Sequence, residues 1–250
     1  MIPKIIHYVW LGNDPLPEEM RKCMESWHRW MPDYQFMCWN NNDLPKVNSI
    51  FAKEACSVGK WAFASDVLRL FALYEYGGIY LDTDVDVKRS FDPLLDNAAF
   101  IGRENCLQIR GRRTEYDLTS YCLGAERGMP FIAKCLDYYR DRHFLLSKNE
   151  SLPAYLRMDL RNASDVYSRI AETFGYNPGA LAPERQCLDG LTVVPVSELN
   201  SYCNHLSIGS WREEPLFEED YTIRYKFAWR IRRMVSRLLR KFDYEMIKLK

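Results

Sequence analysis

Residues 61–84 dictate a helix, a turn and a strand, in that order, and so limit the chain to folds that join helices directly to sheet. Phe63, Val67, Leu70, Phe71 and Tyr74 recur at helical spacing from Trp61 to Tyr76. Gly77-Gly78 follows, a pair that permits left-handed backbone and a tight reversal. Ile79-Tyr80-Leu81 is too short and apolar for anything but a buried strand, and Asp82-Thr83-Asp84 ends it. Alternate residues of a strand share a face, so the two carboxylates project together. A hard divalent cation takes oxygen ligands and commonly binds one or two carboxylates alongside phosphate. Asp86 extends the acidic series, and spacing alone allows the pair 82/84 or 84/86.

The rest of the chain repeats the alternation. Strands are expected at Lys4–Leu11, Tyr34–Trp39, Ile79–Leu81, Ala98–Gly102, Ser120–Gly124 and Leu191–Val196, with Val85–Val87 continuing the third. Helices are expected over 17–31, 47–58, 61–76 and 130–142, and one capped by Ser164 that runs to Phe174. Residues 103–117 and 144–162 read as charged loops of the kind that cover a site. The pattern predicts an α/β sandwich with a mostly parallel sheet.

The 250 residues carry 34 basic and 34 acidic side chains, but the balance is uneven. Residues 224–250 hold ten Lys or Arg against Asp243 and Glu245, a net +8. Phe227, Ile231, Met234, Leu238 and Phe242 form a stripe at helical spacing among those cations. Residues 1–215 are therefore expected to form the catalytic domain, and 216–250 a basic amphipathic helical extension suited to an anionic membrane surface. The same stripe could instead pack on the domain itself. No secretory leader or spanning segment is expected, so the eight scattered cysteines read as free thiols, mostly buried, in a cytoplasmic protein peripheral to the inner face of the membrane. No nucleic-acid partner is implied.

Asp66 and Arg69 stand three apart on the predicted helix and share a face. They can pair with each other, or grip sugar hydroxyls, the acid accepting and the guanidinium donating. A strand running into D-x-D also opens haloacid-dehalogenase-type phosphatases. Those need the motif on the first strand and a later acidic pair, and this chain has neither. A calcium loop counted from Asp82 fails at Val87 and Pro93, where glycine and glutamate belong. A non-enzymatic membrane-surface adaptor built on the tail is the remaining alternative.

The compound pattern Ala64-Ser65-Asp66-x-x-Arg69 with Gly77-Gly78-x-Tyr80-x-Asp82-x-Asp84 resembles glycosyltransferase family 32, the D-x-D sugar transferases. That group takes in capsule and lipopolysaccharide enzymes and fungal mannosyltransferases, and is related to clostridial toxin glucosyltransferases. Residues 2–12, 124–131 and His205 with Ser210-Trp211 fit the same family. The resemblance implies a GT-A-like fold and retaining transfer of a hexose, with Mn²⁺ or Mg²⁺ as cofactor. The donor would be a nucleoside diphosphate sugar, UDP-hexose by analogy, and the acceptor a glycan or lipid-linked saccharide of surface polysaccharide or lipopolysaccharide synthesis. It assigns Asp66, Arg69, Asp82 and Asp84 to catalysis, and Asp82 and Asp84 to the metal, with His205 or Ser210 as a third ligand. Donor contacts would come from Trp10, Asp66, Arg69, Gly78, Tyr80, Asp82, Ser210 and Trp211. His7 reads as structural, and His28 and His143 as surface residues on helices.

Overall fold

A computed structural model describes residues 1–110, 113–149, 154–179 and 184–208. Ser210, Trp211 and the 216–250 extension lie outside the described residues. In chain order the elements are β1 (Ile5–Val9), α1 (Glu18–Trp30), β2 (Gln35–Trp39), α2 (Leu44–Val47), α3 (Ile50–Ser57), α4 (Trp61–Tyr76), β3 (Gly78–Leu81), β4 (Val85–Val87), β5 (Ala99–Arg110), β6 (Arg113–Ala125), α5 (Pro130–Tyr138), α6 (Ala154–Arg157), α7 (Ala163–Glu172), β7 (Gln186–Cys187), β8 (Thr192–Val194), α8 (Val196–Tyr202) and β9 (Cys203–His205).

Among the described residues, seven strands form the central sheet in the order β2-β1-β3-β6-β5-β8-β7. β1, β2, β3, β5 and β8 run one way, and β6 and β7 run against them. The expected α/β architecture with a mostly parallel sheet is therefore what forms. Helices α4, α5 and α7 pack together on one face, with α4 on β1 and β3 and α7 on β6. On the other face Ile6, Ile79, Leu81, Phe100 and Cys122 meet Trp27 and Met31 of α1 and its C-terminus, Val85 and Val87 of β4, and Leu199 of α8.

The helix-to-strand turn reverses as the double glycine demands. Gly77 has φ +66° and Gly78 φ +115°. A Cβ at Gly78 would sit 2.6 Å from the Ile5 carbonyl oxygen, so only glycine lets β3 begin flush against β1. His7 locks the junction from below. Its Nδ1 accepts from Trp39 Nε1 at 3.1 Å, which leaves Nε2–H to donate to the Gly77 carbonyl at 2.8 Å. Burial lowers its pKa below the ordinary histidine value.

Several expectations change. β4 does not continue β3. Val85 N–H donates to Asp82 O in a tight turn, and β4 pairs instead with β9 in a separate two-stranded sheet. Trp27 Nε1 donates to Val85 O at 2.7 Å and Val87 N–H to Ser26 Oγ at 2.8 Å, which fasten β4 to α1. The helix expected over 47–58 breaks at Asn48, whose φ is +46°, and α3 restarts behind Ser49, which accepts from Ala52 N–H. Most of the loop expected at 103–117 is strand, in a long β5–β6 hairpin with register shifts near its base. Ser164 lies inside α7 rather than at its cap, which is Asn162. His7 is structural and His28 is exposed on α1, as expected, but His143 is exposed beyond the end of α5 rather than on a helix.

Candidate active site

α4 sets half of the site. It is buried on most of its surface, and Asp66 and Arg69 lie among its buried residues. Such a helix needs internal partners for every charge it carries. Arg69 Nη2 lies 3.0 Å from Asp66 Oδ1 and 3.4 Å from Asp82 Oδ1. Nη2 also donates to Ser65 Oγ at 3.1 Å, while Nη1 donates to Ser120 O at 2.6 Å and Nε to Ser65 O at 3.4 Å. The guanidinium therefore stands as a fixed cation between the helix acid and the strand acid. Burial works against its charge, but Tyr80, Asp82 and Asp66 outweigh that and raise its pKa further. For Asp66 burial wins: partly opposed by Arg69 and reinforced by Asp82, it pushes the carboxyl up to about 7.

β3 sets the other half. Tyr80 faces α4, with the Arg69 guanidinium 4.4 Å from its ring centroid, and its hydroxyl donates to Asp82 Oδ1 at 2.7 Å. Asp82 N–H donates to Tyr121 O, which fixes the end of the strand against β6. Two residues on, Asp84 receives the chain from far downstream. His205 Nε2 is 3.2 Å from Asp84 Oδ1, Ile208 N–H donates to Asp84 Oδ2 at 3.0 Å, and Leu206 N–H donates to Asp84 O at 3.0 Å. This wrap depends on Ser207, which takes φ +52°, a left-handed backbone uncommon outside glycine. Ser207 Oγ lies 3.3 Å from His205 Nδ1, so Nε2 is turned toward the carboxylates. The Tyr121 ring stacks on the imidazole at 4.4 Å.

Burial alone would raise the Asp84 carboxyl, but His205 and the Ile208 N–H hold it below the usual carboxylate value. Burial alone would lower His205, but Asp84, then Asp82 and Glu104, raise it. Glu104 of β5 is itself raised, first by burial and then by Asp117, with His205 opposing.

Asp82, Asp84 and His205 each offer a ligand atom, and these atoms lie within 4.8 Å of one another. Two carboxylates and an imidazole, turned inward by Tyr80, Ile208 and Ser207, are a donor set that fits a divalent cation of the Mg²⁺ or Mn²⁺ kind. Asp86 stands apart from the cluster. It sits in β4 opposite Asn204, and its charge acts on Cys23 of α1.

Trp10 follows β1. The pairs Ile6–Ile79 and His7–Tyr80, continued along parallel strands, bring Val9 level with Asp82 and Trp10 one step beyond. Its ring is half-buried and tied by Nε1 to Asp14 O at 2.8 Å. Gly78 is not brought to the carboxylates. It begins β3, about 13 Å of strand before Asp82, and packs on Ile5 and His7. Tyr121, Ser207 and Glu104 have no signal in the sequence, because each reaches the site through pairing between distant segments.

The chain is similar to known proteins over the segment that carries most of these residues. Residues 17–101 match the model of a glycosyltransferase sugar-binding region containing a DXD motif. Inositol phosphoceramide mannosyltransferase 3 of Schizosaccharomyces pombe is 33% identical over 135 residues, which are 52% of this chain and 35% of that protein. Mannosyl phosphorylinositol ceramide synthase CSH1 of Saccharomyces cerevisiae is 34% identical over 109 residues, 40% of this chain and 28% of the relative. The chain thus spans about a third of the length of the curated relatives it matches. Among solved structures, the PaToxG glycosyltransferase aligns with a TM-score of 0.47 at 19% identity over 69% of each chain. Asp66, Arg69, Asp82 and Asp84 all fall inside the matched region.

Proposed function

We propose that the chain is a metal-dependent, retaining glycosyltransferase that moves a hexose from a nucleoside diphosphate sugar to a hydroxyl of a lipid-borne or polysaccharide glycan. One observation carries this reading: the Asp82–Asp84–His205 cluster lies directly beside the buried Asp66–Arg69 pair, with Arg69 reaching both. Asp66 has carboxylate capacity for sugar hydroxyls, and Arg69 adds fixed positive charge where the diphosphate leaves. Tyr80 holds Asp82 in one rotamer, and His205, held by Tyr121 and Ser207, closes the cluster from the C-terminal side. Mn²⁺ or Mg²⁺ bound to that cluster would supply Lewis-acid neutralisation of the diphosphate as its bond to the sugar breaks. Trp10, at the same end of the sheet, offers a half-buried ring for the nucleobase.

The names of the fungal relatives support a mannose-type hexose and an acceptor on a lipid, alongside the UDP-hexose and surface-glycan pairing that the sequence pattern suggests. A thermal-shift panel of UDP-glucose, UDP-galactose and GDP-mannose with Mn²⁺ tests the reading. A shift with one donor class that EDTA abolishes is expected. No shift with any of them overturns it.

For residues 216–250 the basic stripe supports a role as an extension that holds the enzyme on an anionic membrane surface at the inner face of the cytoplasmic membrane. Flotation with phosphatidylserine vesicles, with and without residues 224–250, decides this. Equal flotation of the two forms removes the idea.

A further inference from the structure

Ten large apolar side chains are exposed among the described residues, and five of them gather at one corner of the fold: Ile50, Val58, Trp61, Leu146 and Leu156, each 40% to 57% exposed. Ile50 begins α3 and Val58 caps it, and residues spaced four and eight apart share its outer stripe. Glu54 lies between them on that stripe. Its Oε2 accepts from Phe144 N–H at 2.8 Å and from Leu145 N–H at 3.0 Å, and its Oε1 lies 2.8 Å from His143 Nδ1. Phe144 is buried between Phe51 and Phe63, with ring centroids 5.3 and 5.1 Å away. The segment that follows α5 is thereby fastened to α3, and Leu146 emerges beside the stripe. Leu146 N–H donates to Arg157 O at 2.7 Å, which sets Leu156 next to it. Trp61 follows Val58 at the start of α4. Single exposed apolar residues are ordinary on a protein surface, but a contiguous group marks a contact face.

The charges around this corner are mostly positive. Lys53 flanks the α3 stripe, Lys60 precedes Trp61 and Lys148 follows Leu146. Across residues 50–61 and 140–149, five Lys or Arg stand against Glu54 and Asp141. Glu54 is turned to its three donors, so the stripe itself shows little negative charge. The corner also has a fixed place relative to the site. α4 runs from Trp61 to the glycine turn that begins β3, so Trp61 stands at the end of the sheet where β3 delivers Asp82. A Cβ on Gly12 would lie 3.4 Å from the Trp61 ring, so the indole packs on the loop that carries Trp10. Asp66 is five residues along α4 from Trp61, about 7.5 Å of rise.

We propose that this corner is a lipid-docking face, whose five apolar side chains enter the interfacial layer of a bilayer while the lysines around them meet anionic headgroups. The charge of the rim selects this occupant, because an anionic bilayer offers an apolar layer and negative headgroups side by side. The face belongs to the folded domain and is distinct in sequence from the stripe of residues 227–242, so it stands whether or not that extension binds lipid. An extension tethers, whereas a face on the domain orients. Docked here, the carboxyl ends of the parallel strands lie beside the headgroups. Only the last consequence rests on the proposed function: a lipid-borne hydroxyl would then reach Asp66 and Asp82 without leaving the membrane.

The test uses the full chain and vesicles of phosphatidylcholine with phosphatidylserine, some carrying brominated acyl chains that quench tryptophan on contact. Brominated vesicles are expected to quench the wild type. Trp61→Phe should remove part of that quenching, and Trp30→Phe, on α1, should remove none. The double variant Leu146→Glu with Leu156→Glu is expected to keep the wild-type melting temperature, because both side chains are exposed. At about 0.5 M salt, which screens a purely electrostatic tether through residues 224–250, the double variant should bind vesicles about tenfold more weakly than the wild type. Equal quenching in the wild type and Trp61→Phe overturns the inference. So does equal flotation of the wild type and the double variant at that salt, and either result leaves the role of the extension standing. A dimer in sedimentation velocity that the double variant dissolves, with no quenching by lipid, assigns the face to a second copy and overturns it too. Failure of every nucleotide sugar to bind would sink the proposed function without touching these readouts.

Discussion

His205 Nε2 lies 3.2 Å from Asp84 Oδ1, and this contact joins the last described strand to the D-x-D turn. It also separates the three aspartates of the motif, because Asp82 and Asp84 converge with His205 and Asp86 does not. Asp84→Ala is expected to abolish the Mn²⁺-dependent thermal shift and to lower turnover at least about 100-fold, the scale of a lost Lewis-acid site. Asp86→Ala should keep both the shift and the turnover. Calorimetric titration of Mn²⁺ into the two variants checks the assignment, and equal loss in both would return the motif to the 84/86 register.

Arg69 is a structural cation, held between Asp66 and Asp82. Arg69→Ala leaves Asp66 buried without its partner, a change that typically costs about 3–5 kcal/mol. Arg69→Lys should not rescue it. A single ammonium cannot serve Asp66, Asp82, Ser120 and Ser65 in the forked geometry the guanidinium adopts. Urea unfolding of both variants measures the loss, and near-wild-type midpoints would show that Asp66 finds another partner.

Gly78→Ala tests the turn that delivers the motif. The new methyl would meet the Ile5 carbonyl at 2.6 Å in a backbone with φ +115°. Left-handed strain and crowding together predict a loss of about 2–4 kcal/mol. Because Gly78 packs on β1 rather than on the carboxylates, Mn²⁺ affinity of the fraction that remains folded should be unchanged.

His7 predicts an acid limb in stability. Its folded pKa lies below the ordinary 6.5, because burial disfavours the imidazolium. The unfolded chain therefore binds the proton first as pH falls. The stabilisation is complete above 6.5 and is lost progressively as pH drops from there through the folded value. His7→Gln can keep a donor toward Gly77 but has no proton to gain. Its stability between pH 7 and 5 should be flatter than that of the wild type in chemical denaturation at several pH values.

What the sequence disclosed tracks how local its causes are. α4 could be bounded from the chain alone, because its apolar spacing ends at a double glycine. Asp66, Arg69, Asp82 and Asp84 were legible for the same reason, being fixed by one helix, one turn and one strand. β4 was not, because nothing between Asp82 and Val87 announces that its partner is Cys203–His205. The 103–117 part of the β5–β6 hairpin reads as loop because its charged composition resembles a solvated segment, while ladder pairing between the two arms sets its structure. Tyr121 on His205 is a product of packing between distant elements.

Arg69 stands between Asp66 and Asp82, and that single placement has a thermodynamic consequence. On the proposed function, one acid belongs to the sugar and the other to the cation. Occupancy at either end changes how much of the guanidinium the other end commands. The two binding events then share one free energy of coupling, and each must shift the other's affinity by the same factor. Sugar and metal would report on each other through a side chain that bonds to neither.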